Sequence, residues 1–246
     1  MVKFIVFCTK IVIATLMALL FTSCHTNFDI GSGIDGNGDV TTQKRDVQGD
    51  FTKIEASRGL NVEVQQSNSY SVEVEADENL QEHITTTVEN GTLVITSDED
   101  IDECDSKTIR VKMPTITNLE TTSGASITGQ NTILGSNINV KTSSGSEIEV
   151  EVEIDAVDCE STSGSNITIK GKALTLTTSS SSGSEIEARD LMVNDVNSES
   201  TSGSSTEVHP IESLKAKASS GSSIDYNHSP KTITKEESSG GSVSKE

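Results

Sequence analysis

Residue types that often carry out catalysis occur in this chain, but their spacing forms no familiar catalytic arrangement. The chain has four histidines: His25, His83, His209 and His228. Their separations match neither the spacing of metal ligands nor a serine-histidine-aspartate triad. From residue 123 onward a serine precedes a glycine seven times, which indicates structural repetition rather than one activated nucleophile. We therefore predict no catalytic residue and no cofactor.

The many acidic residues leave one enzymatic alternative open. Paired carboxylates cleave glycosidic bonds, and some β-helical proteins use such groups on polysaccharides. Those sites also need aromatic rings on which sugars stack, but only 3% of the residues here are aromatic and none is tryptophan. A polysaccharide-cleaving enzyme is therefore the least favoured hypothesis.

Charge and composition argue against a nucleic-acid-binding protein and against a globular protein with a conventional aromatic core. Acidic residues number 38 against 18 basic ones, which gives a formal net charge of −20. Such a surface repels phosphate backbones, so we predict no nucleic-acid partner. Aromatic residues make up only 3% of the chain, which is too few for a conventional core built on aromatic side chains. Hydrophobic residues make up only 32%, a content that approaches that of disordered chains. A regular architecture must organise them if the chain folds.

The first 23 residues have the pattern of an export signal. Lys3 and Lys10 precede an apolar run over residues 11–21, which is too short to span a bilayer as a helix but suits a secretory signal peptide. The small residues before Cys24 resemble the lipobox of bacterial lipoproteins, although Phe21 stands where that motif prefers leucine. We predict lipid attachment at Cys24 and a place in the outer membrane of the cell envelope. An ordinary signal peptide is the alternative.

Residues 24–45 are rich in glycine and polar residues and show no periodicity, so we predict a flexible tether. Asp35, Asn37 and Asp39 imitate the first ligands of a calcium loop. Val40 and Asp46 occupy the positions where such a loop needs glycine and glutamate, which makes calcium the minor alternative.

The most informative feature is a repeat of about 19 residues. It is marked by seven glycines, each preceded by serine: Gly124, Gly145, Gly164, Gly183, Gly203, Gly221 and Gly240. Their spacings are 21, 19, 19, 20, 18 and 19 residues. Repeats of this length are typical of solenoids, in which no single repeat can bury its apolar face alone.

Aligning the repeats on these glycines exposes apolar columns at odd offsets. Three residues after the glycine the column contains Ile127, Ile148, Ile167, Ile186 and Ile224. Seven residues before it the column contains Ile138, Val157, Leu176, Val196 and Leu214. Even offsets are polar, and this period of two is that of a β-strand with one buried face. Cys159 falls in an inward column, so we predict a small buried side chain there.

These columns predict an all-β fold, a right-handed parallel β-helix (β-solenoid) with coils of about 19 residues. Residues 116–246 form its clear repeats, and a polar last coil caps them. Residues 46–115 show the same register around Gly59 and are predicted to continue the solenoid. The acidic segment 97–107 interrupts that portion as a solvated turn, with calcium again the minor alternative.

The step from serine through glycine to serine predicts a sharp corner. Glycine adopts backbone conformations that are costly for other residues. Both neighbours of the glycine lie at odd offsets, so we place them inward and expect their hydroxyls to form hydrogen-bonded ladders. A flexible linker is the alternative, which the tight period disfavours.

Outward columns stack charges along the axis. Four positions before the glycine, opposite signs alternate at Glu120, Lys141 and Glu160, and again at Glu199, Lys217 and Glu236. Such cross-strand pairs contribute about 0.2–1 kcal/mol each. Four positions after the glycine, like charges stack at Glu187, Glu207 and Asp225. We interpret that column as a solvated face, with a weak divalent-cation site as the alternative.

Several further motifs follow one another in a fixed order. They comprise Arg45, Val47, Phe51 and Ile54, then Gly59 to Val62 with Val64 and Gln66, then Gly91, Leu93 and Ile95, then Val111, Met113 and Pro114, and finally Leu119 with Ser123 and Gly124. In this order they resemble a family of exported bacterial proteins described as putative auto-transporter adhesins with a head GIN domain. The resemblance extends from Arg45 to the C terminus. It implies a β-helical fold in the envelope of Gram-negative bacteria and carries over no activity and no binding residues.

Three functional hypotheses follow. The leading one is a non-catalytic adhesin or binding module of the cell envelope, anchored by lipid, that presents its solenoid to an unknown protein or glycan. The second is a structural scaffold that assembles envelope proteins without recognising a host ligand. The third is the polysaccharide-cleaving enzyme. We make no prediction of the oligomeric state.

Overall fold

The computed structural model describes residues 33–246, which contain seventeen β-strands and one 3₁₀ turn. The predicted leader 1–23 and the predicted acylation site Cys24 lie outside these residues. The first nine strands are β1 Val40–Arg45, β2 Lys53–Ala56, β3 Asn61–Gln66, β4 Ser71–Asp77, β5 Ile84–Glu89, β6 Thr92–Ser97, β7 Lys107–Met113, β8 Asn118–Thr121 and β9 Ser126–Gly129. The 3₁₀ turn covers Glu78–Leu80. The other strands are β10 Ile133–Thr142, β11 Glu147–Ser161, β12 Asn166–Ser180, β13 Glu185–Ser200, β14 Ser205–Ser219, β15 Ser223–Tyr226, β16 Thr232–Ser238 and β17 Ser242–Lys245.

Successive coils stack by parallel pairing along one axis. Strands β10 to β14 pair in chain order, and β15, β16 and β17 complete the stack. Ile148 pairs in register with Ile167, and Ile167 with Ile186, an offset of 19 residues each time. Backbone groups along these ladders bond to the coils above and below, except where the register skips a residue. The arrangement confirms the predicted β-solenoid, which makes about seven turns.

The apolar columns face a continuous interior. All ten aliphatic residues of the two predicted columns are at most 3% exposed. In the same column as the isoleucines, Thr206 is fully buried between Ile186 and Ile224. Cys159 is also fully buried, and burial raises the pKa of its thiol. Burying one such aliphatic side chain contributes about 1.5–3 kcal/mol, so the stacked columns supply the main stabilisation of the fold.

The corners differ from our prediction in one respect. Each serine before the repeat glycine is exposed, not inward, and shares a positive φ with it, as at Ser163 (58°) and Gly164 (68°). Two consecutive residues in the left-handed conformation form a tight turn. The serine and the glycine both lie at the tip of this turn and point away from the core. The residue after the glycine faces inward as predicted, as at Ser165, and the other inward hydroxyl lies three residues before the glycine, as at Ser161.

Those inward hydroxyls form hydrogen-bonded ladders beneath the corners. The Thr142 hydroxyl donates to Ser161 Oγ at 2.9 Å, and the Ser165 hydroxyl donates to Thr142 Oγ1 at 3.0 Å. One coil further, Ser184 Oγ donates to the Ser161 carbonyl at 2.7 Å. Buried polar groups are tolerated when they are paired in this way. The ladders therefore fill the narrow part of the interior, where larger side chains do not fit.

The amino-terminal portion continues the solenoid, but its coils do not stack in chain order. The coil of β2 and β3 lies between the later coils β6–β7 and β8–β9. Val62 accordingly pairs in register with Ile109 on one side and with Ile127 on the other. The segment between β6 and β7, which is acidic, replaces the serine-glycine corner of the terminal coil.

Antiparallel strands close this end of the solenoid. Strand β4 pairs with β7, β1 pairs with β4, and β5 pairs with β6. The predicted tether over residues 24–45 is therefore wrong for Val40–Arg45, which form β1, while its residues 24–32 lie outside the described part of the chain. This strand has no alternating apolar residues, because it is a mostly exposed edge strand held by backbone pairing and by Arg45, whose Nη2 donates to the Gln81 carbonyl at 2.7 Å.

The last coil ends the stack with polar side chains. Strand β16 is exposed throughout, and in β17 only Val243 is buried. Lys235 lies over the Tyr226 ring at 4.8 Å and donates to the Val243 carbonyl at 2.8 Å. Glu237 accepts from the Val243 amide at 2.6 Å. These two contacts occupy the N–H and C=O groups of Val243, and the exposed polar side chains of β16 further discourage end-to-end association.

Candidate binding surfaces

The serine-glycine corners form a ridge of hydroxyl groups along the solenoid, which we call the corner ridge. It consists of the seven exposed serines before the repeat glycines and the Ser or Thr that precedes each of them, which is half-exposed in every coil but the last, where Ser238 is exposed. Neighbouring coils are joined there by hydroxyl contacts, Ser143 to Thr122 at 3.0 Å and Thr162 to Ser181 at 3.0 Å. The ridge offers donors and acceptors at a strand spacing of about 4.8 Å. Such a surface suits a polar partner, either a peptide backbone or a sugar.

The corner ridge is fixed by the backbone as well as by side chains. The amide of Gly145 donates to the Ser163 carbonyl at 3.1 Å, and the amide of Gly164 donates to the Ser182 carbonyl at 3.2 Å. Each corner is thus hydrogen-bonded to the corner of the next coil. The backbone positions of the corner residues, and with them the spacing of the hydroxyl groups, are set before any partner arrives, which lowers the entropic cost of binding.

Alternating charges follow the neighbouring outward column. Lys141 Nζ lies 2.9 Å from Glu160 Oε2, and Lys217 Nζ lies 2.8 Å from Glu199 Oε1. The hydrogen bond that Lys141 donates to Glu160 raises the pKa of Lys141. All four side chains are about half exposed, so these pairs contribute to register more than to stability.

The structure brings the predicted acidic column together. Glu187 pairs in register with Glu207, and Glu207 with Asp225. Burial raises the pKa of Glu207, and the nearby Arg189 opposes that shift. Arg189 contacts Glu207 at 3.2 Å and Glu246 at 3.0 Å, so a side chain supplies positive charge there. Within residues 33–246 no group of three histidine, cysteine or acidic side chains is arranged to hold a metal ion.

Arg189 was missed at the sequence level, although a signal was available. It stands two residues after Glu187 in β13, and residues two apart in a strand project from the same face. Its charge neutralises part of a column that the repeat alignment showed as purely acidic.

A buried carboxylate organises the end where the chain enters the solenoid. Asp77 is fully buried and accepts three backbone N–H groups, from Gly38 at 2.9 Å, Ser106 at 3.1 Å and Asp105 at 3.2 Å. The bond from Gly38 is the main reason that the pKa of Asp77 is lowered, against the opposing effect of burial. Asp77 therefore joins the segment before β1 to the acidic segment before β7.

Replacing Asp77 with asparagine is expected to lower the Tm at pH 7, because the amide group would place N–H donors against backbone N–H donors. The lowered pKa also sets the pH dependence. An ionised Asp77 stabilises the fold above the unfolded pKa of about 3.9, and that contribution is lost as pH falls through the folded pKa. Thermal denaturation followed by circular dichroism at pH 7 and pH 3 measures both effects.

The control for this prediction is Asp190→Asn, which changes an exposed carboxylate in the same way. It should leave the Tm at pH 7 unchanged. The Tm difference between Asp77→Asn and the unmodified chain should be smaller at pH 3 than at pH 7. Equal differences at the two pH values would contradict the assigned role of the carboxylate.

Among the residues that the structure describes, the histidines and cysteines are not brought together in a catalytic arrangement. His83 Nδ1 lies 2.9 Å from Asp98 Oδ1. The rings of His209 and His228 stack with centroids 5.3 Å apart, and their Nδ1 atoms face backbone carbonyls. Between residues 33 and 246 no hydrogen bond joins a histidine to a serine or cysteine side chain. His25 lies outside the described residues.

Solved structures of low sequence identity share this fold. A putative adhesin from Bacteroides fragilis has a TM-score of 0.78 and 21% identity, with 87% of this chain and 99% of that chain covered. A putative adhesin from Parabacteroides merdae has a TM-score of 0.72 and 19% identity, with 87% and 98% covered. A putative lipid binding protein from Parabacteroides distasonis has a TM-score of 0.73 and 21% identity, with 87% and 99% covered.

Two sequence comparisons bear on the resemblance noted above. The comparison with curated proteins finds no match. In the described part of the chain there is no helix with the length and apolar character needed to cross a membrane. The family described as "putative auto-transporter adhesin, head GIN domain" matches residues 50–230, which is most of the chain. The chain therefore belongs to this family of putative auto-transporter adhesins with a head GIN domain.

Proposed function

We propose that this protein is a non-catalytic binding module of the bacterial cell envelope that acts as an adhesin. The observation that carries the proposal is the corner ridge, a row of hydroxyl-bearing residues whose spacing is set by backbone hydrogen bonds between successive corners and by hydroxyl contacts between its half-exposed members. A preorganised polar surface binds an extended protein or glycan with little loss of entropy on the protein side. The family and two of the similar structures, which are described as adhesins rather than enzymes, support this choice.

Lipid attachment at Cys24 completes the proposal. A small-residue segment before a cysteine, preceded by an apolar run and basic residues, favours an exported lipoprotein of the outer membrane. The solenoid would then be held at the membrane by its amino-terminal end. Protease treatment of intact cells tests the side on which it is displayed, because only a surface-exposed chain is digested.

The proposal predicts saturable binding of the purified chain to host matrix or cell-surface material. Substituting asparagine at both Ser163 and Ser182 should weaken this binding at least about tenfold, because the larger amides disrupt the corner ridge while asparagine tolerates the left-handed conformation. Biolayer interferometry with immobilised matrix proteins measures the affinity. Glu149→Gln, on a different outward column, is the matched control.

Deleting the gene provides the cellular test. Unchanged adhesion of the deletion strain would overturn the adhesin proposal. The second candidate, a structural envelope scaffold, predicts instead that crosslinking in intact cells captures other envelope proteins. The polar last coil does not support growth of the solenoid into a larger framework by end-to-end stacking, which favours the adhesin over the scaffold.

A further inference from the structure

An open groove of about 540 Å³ crosses successive coils on a side of the solenoid away from the serine-glycine corners. Its floor contains the nearly buried Ile154 and Ala173. Leu174 and Met192 rise beside the floor, with the carboxylates of Glu153 and Asp155 next to them. The volume lies within the range of about 300–1,000 Å³ that is usual for ligand sites.

The strand register explains why a groove forms here. Parallel pairing skips one residue at this bend in each of the coils β10 to β13, including Asp155 and Leu174, and two residues in β14. The skipped residues project outward, while the paired residue before each of them, such as Ala173, is small or turned inward. A depression therefore runs along the axis between the projecting bend residues and the preceding outward column.

The apolar side chains in this region are unusually exposed. Only six large hydrophobic residues within 33–246 have more than about a third of their surface exposed: Val40, Tyr70, Leu134, Leu174, Met192 and Ile233. Leu174 is 53% and Met192 42% exposed, and both line the groove. Leu134, at 56%, belongs to the outward column that leads to Met192 through Glu153 and Lys172. Clustered exposed apolar side chains of this kind mark interaction sites.

The dimensions of the groove fit an extended peptide. Its lining comes from five successive coils, from Gly135 to Ile211. At about 4.8 Å per coil the groove is roughly 19 Å long, which matches about six residues of an extended chain at 3.3 Å each. Alternate side chains of such a peptide would point into the groove, and the others would reach its rims.

Charge selects the kind of partner. The groove is lined by two carboxylates, Glu153 and Asp155, and one amine, Lys172. The whole chain carries −20, so an anionic lipid, an acidic peptide or a second copy of this chain is repelled on approach. A basic partner is attracted, and its apolar residues can cover Leu174 and Met192.

We infer that this groove binds an extended, basic, amphipathic segment of a partner protein, in which apolar residues alternate with lysine or arginine. The inference goes beyond the proposed function, which places adhesion on the corner ridge, and assigns a second binding site with a partner class of its own. Apolar contacts in the groove provide specificity, and the carboxylates at its rim speed and orient the encounter.

The test uses the full-length chain and three short labelled peptides, measured by fluorescence anisotropy. One peptide alternates leucine with lysine, the second alternates serine with lysine, and the third alternates leucine with glutamate. We expect saturable binding of the leucine-lysine peptide, which weakens as salt is raised. The serine-lysine peptide should bind at least about tenfold more weakly, and the leucine-glutamate peptide should not bind.

Two substitutions in the groove and one outside it locate the site. Leu174→Lys and Met192→Lys should each weaken binding of the leucine-lysine peptide at least about tenfold. Val40→Lys makes the same change at a side chain that is 43% exposed in β1, and it should bind as the unmodified chain does. Because all three side chains are exposed, the variants should keep their Tm, which circular dichroism verifies.

Three results would overturn the inference. Equal binding of the serine-lysine peptide would mean that net charge alone attracts the peptides. Binding that is unaffected by Leu174→Lys and Met192→Lys would place the peptide elsewhere. Binding of the leucine-glutamate peptide or of phosphatidylglycerol vesicles, lost in these two variants, would assign the groove to an anionic amphiphile. If the chain binds matrix material but not the leucine-lysine peptide, the inference fails while the proposed adhesin function stands.

Discussion

Replacing Ile167 with alanine is expected to lower the free energy of unfolding by about 2–5 kcal/mol. Ile167 is fully buried and pairs in register with Ile148 and Ile186, so its side chain contacts equivalent side chains on both neighbouring coils. The backbone ladders fix the coil spacing, and the surrounding structure cannot collapse into the cavity. Urea denaturation followed by far-ultraviolet circular dichroism measures the change.

Ile167→Val provides a graded comparison, because it removes one methyl group and should cost about 0.5–1.5 kcal/mol. The surface control is Glu149→Ala in the adjacent coil. Its exposed ion pair with Lys170, at 3.6 Å, contributes about 0–1 kcal/mol. Equal losses from Ile167→Ala and Glu149→Ala would show that the isoleucine column does not form the stabilising core.

The interior was predictable from the sequence because each column is sampled several times. One apolar residue at an odd offset is a weak indication, but Ile127, Ile148, Ile167 and Ile186 recur at intervals fixed by the stacking of coils. Position within the repeat therefore determined which side chains are buried. The same argument correctly identified Cys159, whose type alone would have suggested reactivity or metal binding.

The orientation of the corner serines could not be derived from the same alternation. A count of odd and even positions assumes that a strand continues through the corner. At Ser163 and Gly164 two left-handed residues reverse the chain, and the alternation resumes only at Ser165. The positive φ of a serine is an infrequent conformation that composition does not indicate.

Structural features outside the repeat could not be predicted from the sequence pattern either. Strand β1 lacks alternating apolar residues. The stacking of β2 between β6 and β8 depends on pairing between distant segments, which the amino-acid sequence alone does not indicate. Asp77 resembled one more surface acid until the structure showed its three backbone donors. The groove beside Leu174 could not be predicted from an alignment on the serine-glycine corners, because it lies at a different bend of each coil.

A valine in place of Gly164 is expected to lower the free energy of unfolding by about 1–3 kcal/mol, because the backbone would be strained. A Cβ atom at this position would meet no atom within 4 Å, so crowding does not contribute. The cost comes from φ, which is +68° at Gly164, in a region that β-branched residues avoid. The Gly164 amide must also keep its bond to the Ser182 carbonyl, which prevents the corner from relaxing.

Gly135 provides the control that separates backbone strain from added volume. A Cβ atom there also meets nothing within 4 Å, but φ at Gly135 is not in the positive region. Gly135→Ala should therefore be neutral or stabilise the chain by about 0.4–1 kcal/mol, through reduced entropy of the unfolded state, whereas Gly164→Ala should destabilise it. Urea midpoints of the three variants, measured side by side, make the comparison. If Gly164→Val and Gly135→Ala were equally stable, the corners would not require left-handed backbone, and the tight turn that sets the coil length would have to be explained in another way.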